Sequence, residues 1–386
     1  MTGHEGVNPV PEAWLALVGE YRVGVYRGEE VVQARLLPHL TPDAPEVRAV
    51  LAAWEGPSYV HRDQEGTEIV LVRSTEAPEP IRWILHATLF LLTAFTTHMA
   101  GALLQGVDPM RTRFGQGFGL FWPYPTGVDW DVLAGGAVFA VPFLGILLAH
   151  ESGHYVAARL HRIRVTPPFF IPFPAYYSIV GTLGAFIRIK GPTVRRSILF
   201  DVGAAGPYAS FFLSIPVLAV GLSLSHPGPG VADLATPFLV RFADQAVWIG
   251  NTPLTHLMGS LAFPDSMGRS PIVLHPLAFA GWLGLFLTAL NLLPLGQLDG
   301  GHILYALLGD RQEVAARVFL MALLPLGFLW WGWWFWGGAA YLVNRGRLSH
   351  PPVIQPRAPI DARRRWLGWI AMLMFFLALA PVPIRL

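Results

Sequence analysis

Two patterns of apolar and polar positions divide the chain. Residues 1–75 are mixed and largely polar, with short alternating runs. Tyr21–Tyr26 and Val31–Leu37 read as strands about a turn at Gly28, and Pro45–Glu55 as a helix. Ser58–His61 and Thr67–Val72 read as a hairpin across Asp63–Gly66. A small soluble N-terminal α+β unit over 1–75 is the expected result. From Ile81 onward, long apolar runs take over. A helix needs about 20 apolar residues to cross the hydrocarbon core, and 81–104, 131–159, 198–224, 276–296 and 366–384 meet that length. Residues 314–343 are apolar as well, but Pro325 and Gly327 interrupt them. They form either one long span or a tight pair.

One apolar stretch is not helical in pattern. Pro167, Pro168, Pro172 and Pro174 break any helix after 166. From Gly181 to Lys190 residues alternate instead, with Leu183, Ala185, Ile187 and Ile189 on one face. The pattern predicts a membrane-associated β-strand or hairpin near 178–191. The expected fold is thus a polytopic α-helical membrane protein of about six spans over 80–384, with a core at about 131–310.

Composition agrees with that class. Hydrophobic residues make up 53% of the 386 positions and charged residues 13%, about half the charged fraction of soluble domains. A net charge of +2 gives no footprint for nucleic acid. With no cysteine, disulfides and thiolate metal sites are excluded, so any metal rests on His, Asp or Glu. The first residues show no secretory signal, which predicts that the N-terminal unit is not exported.

Charge also orients the spans. The 160–197 loop carries Arg162, Arg164, Arg188, Lys190, Arg195 and Arg196 and no acid. The 105–130 and 225–275 loops hold few basic residues beside Asp108, Asp129, Asp233 and Asp265. The positive-inside rule puts 160–197 and the N-terminal unit in the cytoplasm. The segment after 343 is also basic. If it is cytoplasmic, 314–343 crosses twice or re-enters.

The chemistry lies in His150-Glu151-Ser152-Gly153-His154. Histidines four apart share a helix face and reach one tetrahedral ion. Glu151, beside the first ligand, is placed as the proton acceptor for the attacking water. Two histidines leave one protein ligand to find. Asp299, in Asn291-Leu-Leu-Pro-Leu-Gly-Gln-Leu-Asp299-Gly-Gly, comes to the same membrane side by the alternation of spans. Asp299 also reads as a plain turn residue, and Asp310 is a weaker competitor. Asn291 either binds substrate or the oxyanion, or bridges helices. The 181–190 strand, through Gly181, Thr182, Leu183 and Gly184, either holds an extended substrate by β-augmentation or serves only packing. Gly203, Gly206 and Pro207 read as close helix packing. His161, His256, His275 and His302 lie near spans, where structural roles are commonplace.

HESGH at 150–154, Gly206-Pro207 and NLLPLGQLDGG at 291–301 occur in the order of the site-2 protease family of intramembrane metalloproteases, which the chain resembles over 80–384. The resemblance implies one Zn2+ held by His150, His154 and Asp299, with Glu151 catalytic. LFLLTAFTT at 89–97, PPFFIPFP at 167–174 and GTLGAFIRIKGP at 181–192 resemble the branch of plastid chloroplast-development proteases and their bacterial relatives. Residues 225–275 are too few for the PDZ domain of other branches. The implied function is hydrolysis of peptide bonds in or near the transmembrane segments of single-span or other membrane proteins. The implied setting is a bacterial inner membrane, with the N-terminus and active site toward the cytoplasm and a homo-oligomer left open. The alternative is a non-proteolytic membrane metal-binding protein or transporter. Against it, no repeat is visible and the metal residues converge at one end.

Overall fold

The computed structural model describes residues 13–26, 28–75, 80–117, 120–243, 245–343 and 345–385, with the backbone alone for 112–117, 120–125 and 343. Residues 1–12 of the expected N-terminal unit lie outside the described residues.

Residues 18–74 form an antiparallel sheet with one helix. β1 (Val18–Tyr26), β2 (Glu29–Leu36), β3 (Ser58–Asp63) and β4 (Gly66–Ser74) lie in the order β1-β2-β4-β3, and α1 (Pro45–Ala53) follows β2. Alternation along β2 and β4 sets the two faces. Val32, Ala34, Ile69 and Leu71 pack with Val47 of α1, while Val31, Val70 and Val72 pack on Val194. Arg164 Nε donates to Glu29 Oε1 at 2.7 Å and Gln33 Nε2 to Ile354 O at 3.2 Å, fixing the sheet on the 160–196 and 350–357 segments.

α2 (Trp83–Leu103) leads to a hairpin of β5 (Met110–Gly117) and β6 (Leu120–Val128). Then come α3 (Trp130–Gly135), α4 (Ala137–Leu160), and a short hairpin of β7 (Phe169–Pro172) and β8 (Thr182–Phe186). Strand structure therefore occupies five residues of the alternating run, and Ile189 lies beyond it in an isolated bridge to Val165. The apolar stretch 131–159 is divided at Gly136 into α3 and α4.

α5 (Arg196–Ser223) is followed by a sheet the apolar pattern does not show. β9 (His226–Pro227), β10 (Phe238–Phe242), β11 (Gln245–Ile249), β12 (Ile272–Val273) and the C-terminal β13 (Ile384–Arg385) lie in the order β13-β11-β10-β12-β9, with α6 (Pro253–Ala262) inserted. Ala243 N donates to Leu103 O at 2.8 Å, so this sheet sits at the end of α2 away from β1–β4. α7 (Pro276–Asn291) runs back through the middle, its Phe279 and Trp282 stacked in the core. α8 (Asp299–Leu308), α9 (Gln312–Leu329), α10 (Gly332–Val343) and α11 (Ala362–Ala378) complete the chain.

Among the described residues, four segments are long and apolar enough to cross a bilayer: Trp83–Leu103, Ala137–Leu160, Arg196–Ser223 and the joined Asp299–Leu329. About six were expected. The 276–296 run ends as a helix at Asn291, after 16 residues, because Pro294 has no N–H to give and Gly296 turns with φ 49°. α11 has 17 residues. Residues 314–343 form two helices folded back on one another. Trp330 is extended, and Trp334 Nε1 donates to Leu324 O at 3.0 Å.

Candidate metal centre

α4 and α7 pack on α5, and α8 begins against it, so three elements deliver polar side chains to one buried point. His150 and His154, one turn apart on α4, are buried. Asp299 is the first residue of α8, reached through the 292–298 turn. A Cβ on Gly300 would lie 2.0 Å from Leu292 O, so only glycine lets α8 start this close to the turn that follows α7.

His150 Nε2 and His154 Nε2 lie 3.1 Å apart, and Asp299 Oδ2 is 3.3 Å from each. Four ligands at about 2.0–2.1 Å from a tetrahedral zinc stand about 3.3 Å apart, so the triangle has the right size. The hydrogen bonds behind the rings decide what it presents. His154 Nδ1 is 2.6 Å from the Val202 carbonyl, which only accepts, so Nδ1 carries the proton and Nε2 turns a lone pair inward. His150 Nδ1 is 3.0 Å from Ser210 Oγ, and with its proton there His150 does the same. Two lone pairs and a carboxylate oxygen converging in an apolar bundle repel one another unless a cation lies between them. The residues therefore fit Zn2+, the metal of the relatives described below.

Glu151 is buried beside the triangle and lines a cleft of about 250 Å3. The Ile187 amide, just beyond β8, hydrogen-bonds its carboxyl. Asn291, the last residue of α7, places Nδ2 3.1 Å from His150 Nε2. The 181–184 segment divides. Gly181 lies against the Thr96 backbone, and Thr182 is buried with Oγ1 donating to Ile171 O at 2.7 Å. Leu183 and Gly184 line the cleft together with His150 and Glu151, as do Trp336 and Ala339 of α10. Among the described residues β8 pairs only with β7.

The other singled-out residues fall elsewhere. His161 bonds Asp201, His302 bonds His350, His256 bonds Asn251, and His275 caps α7. Asp310 lies in a single 3-10 turn after α8. Three groups behind the ligands were not anticipated: Ser210, Thr288 and the Val202 carbonyl. Ser210 Oγ is 2.7 Å from Thr288 Oγ1, which donates to Gly284 O at 2.7 Å. The signal was present in spacing, since Ser210 is one turn after Gly206 and Thr288 is three residues before Asn291.

An apolar helical bundle in which an H-E-x-x-H pair faces an aspartate is the framework of a membrane-embedded zinc metalloprotease. Residues 138–328 match the model of Peptidase family M50. This stretch is a domain of that family, the site-2 proteases, and the chain is an integral membrane protein. It is similar to probable zinc metalloprotease EGY1, chloroplastic, of Oryza sativa subsp. japonica, with 28% identity over 328 residues, 81% of this chain and 53% of the relative. It is 31% identical to the EGY1 protein of Arabidopsis thaliana over 245 residues, 62% of this chain and 42% of the relative. Against probable zinc metalloprotease EGY2, chloroplastic, of Arabidopsis thaliana it is 29% identical over 256 residues, 66% of this chain and 42% of the relative. The chain spans about half the length of these relatives. No solved structure matches it.

Proposed function

We propose that this chain is a zinc metalloendopeptidase that hydrolyses peptide bonds in or near the transmembrane segments of membrane-protein substrates. The observation that carries this reading is the convergence of His150, His154 and Asp299 on one point beside Glu151, at the end of a cleft inside the bundle. Zinc, when bound, supplies Lewis acidity to the scissile carbonyl and to the attacking water. The protein residues do the rest. The Val202 carbonyl and Ser210 hold the imidazoles in the metal-binding tautomer. Glu151 accepts a proton from the attacking water and passes it to the leaving nitrogen. Its carboxyl is steadied by the Ile187 amide, so the strand region and the base share one rigid contact. Asn291 Nδ2 offers a donor to the substrate carbonyl at the metal-facing end of the cleft.

An unwound substrate segment lies along Leu183 and Gly184, pairing with the outer edge of β8. Gly181 and Thr182 support that strand from behind and do not touch substrate. The proposed setting is a bacterial inner membrane. The basic 160–197 loop supports a cytoplasmic position for the site and for the unit over 1–75, with the protease domain over 80–384.

The test is cleavage of a single-span reporter by the unaltered chain and by Glu151→Gln, with bound zinc measured in both. We expect Gln to lower the rate by about 10²–10⁴-fold with zinc retained. Unchanged cleavage would exclude the proposed base, and zinc uptake with no cleavage by the unaltered chain would favour transport.

A further inference from the structure

A second cavity, about 600 Å3, lies between the N-terminal sheet and the membrane-facing part. It is lined by an unbroken run of β1, Arg22 to Tyr26. Alternate residues of a strand point to opposite faces, so a continuous run means that the cavity takes the backbone edge of β1. Among the described residues β1 pairs with β2 alone, and Gly19–Val25 are all exposed. Natural edge strands are guarded by lysine, proline, bulges or a covering element. Here the only bulge is at Val18–Glu20, and Tyr21, Val23 and Val25 are exposed apolar side chains. The far wall contains Pro192, Pro351 and Pro352, which have no N–H to offer. A guest's backbone is therefore paired from the β1 side. Among the described lining residues Arg22 alone carries a fixed charge and the rest are apolar or neutral, which suits a largely uncharged guest.

The floor gives the cavity its meaning. His302 stands one turn after Asp299 on α8, and the carbonyl of Val202 holds His154. The cavity thus backs onto the wall that supports the metal ligands.

We infer that this cavity is a docking site for an extended, uncharged segment flanking the span that is cut, which adds to the edge of β1 as a fifth strand. This rests on the proteolytic reading above. It makes the N-terminal sheet a selector of substrates by their flank, separate from the strand contact at β8.

The chain has no cysteine, so Val25→Cys introduces a unique thiol. The full-length Glu151→Gln/Val25→Cys protein in membranes is oxidised with single-span reporters whose flank alternates valine and threonine, with one cysteine moved along it. We expect disulfides at alternate flank positions. In the cleaving enzyme, the alternating flank should lower KM roughly tenfold relative to a Gly-Ser flank, and Val23→Asp/Val25→Asp should abolish that difference. Crosslinks only between two copies of the chain, no crosslink at any flank position, or crosslinks without periodicity would each overturn the inference. Periodic crosslinks with no cleavage by the unaltered enzyme would support docking while refuting the proteolytic reading.

Discussion

A Cβ placed on Gly206 would lie 2.1 Å from His154 Nε2. The Gly206-Pro207 pair of α5 therefore leaves room for a metal-facing imidazole, beyond serving helix packing.

This relationship makes Gly206→Ala a selective lesion. The methyl displaces the His154 ring or forces α4 and α5 apart, and either moves Nε2 out of the triangle. Bound zinc should fall from one per chain to a small fraction, with helicity by circular dichroism preserved. A variant that keeps full zinc occupancy would show that the clash is relieved without moving His154.

Ser210 is expected to act through His150. With its proton on Nδ1, His150 donates to Ser210, Ser210 to Thr288, and Thr288 to the Gly284 carbonyl. Ser210→Ala removes the partner that fixes the ring and its tautomer. Loss of such a supporting hydrogen bond weakens metal affinity by about 10–100-fold. Competition with a chromophoric chelator measures this directly, and Ser210→Thr should restore most of the loss. An unchanged affinity in Ser210→Ala would remove Ser210 from the account.

His350 predicts a pH dependence outside the spans. Burial lowers it to about 4, with a hydrogen bond to the Pro351 carbonyl opposing part of the effect. An unfolded histidine titrates near about 6.5. Between these values the unfolded chain binds a proton that the folded chain does not, so stability rises with pH and is lost as pH falls from about 6.5 toward about 4. The contribution is about 3 kcal/mol. His350→Phe keeps a ring against Tyr305 and removes the titration, so its melting temperature should fall less over that range. Parallel pH profiles of the two proteins would contradict the assignment.

Much of the site was legible because its chemistry is local in sequence. His150 and His154 need only one helix, and Asp299 follows from the alternation of spans. The supporting groups were hidden because their meaning is tertiary. Ser210 and Thr288 look like ordinary small residues of apolar helices until α5 and α7 are packed. Among the strands, β2 and β4 alternate over eight or nine residues, which a pattern can show. β9 and β12 have two residues each, and pairing between distant segments makes them strands. The 276–296 run reads as a full span in hydropathy because Leu292, Leu293 and Leu295 are as apolar as the helix before them. Their turn is set by Pro294 and Gly296, and it delivers Asp299.

The most direct test of the central claim is zinc K-edge absorption of the purified full-length protein, beside Asp299→Ala. The account predicts one zinc per chain with two imidazole nitrogens and a carboxylate oxygen at about 2.0–2.2 Å, and loss of that carboxylate and of most bound zinc in the variant. An unchanged spectrum and zinc content in Asp299→Ala would contradict it.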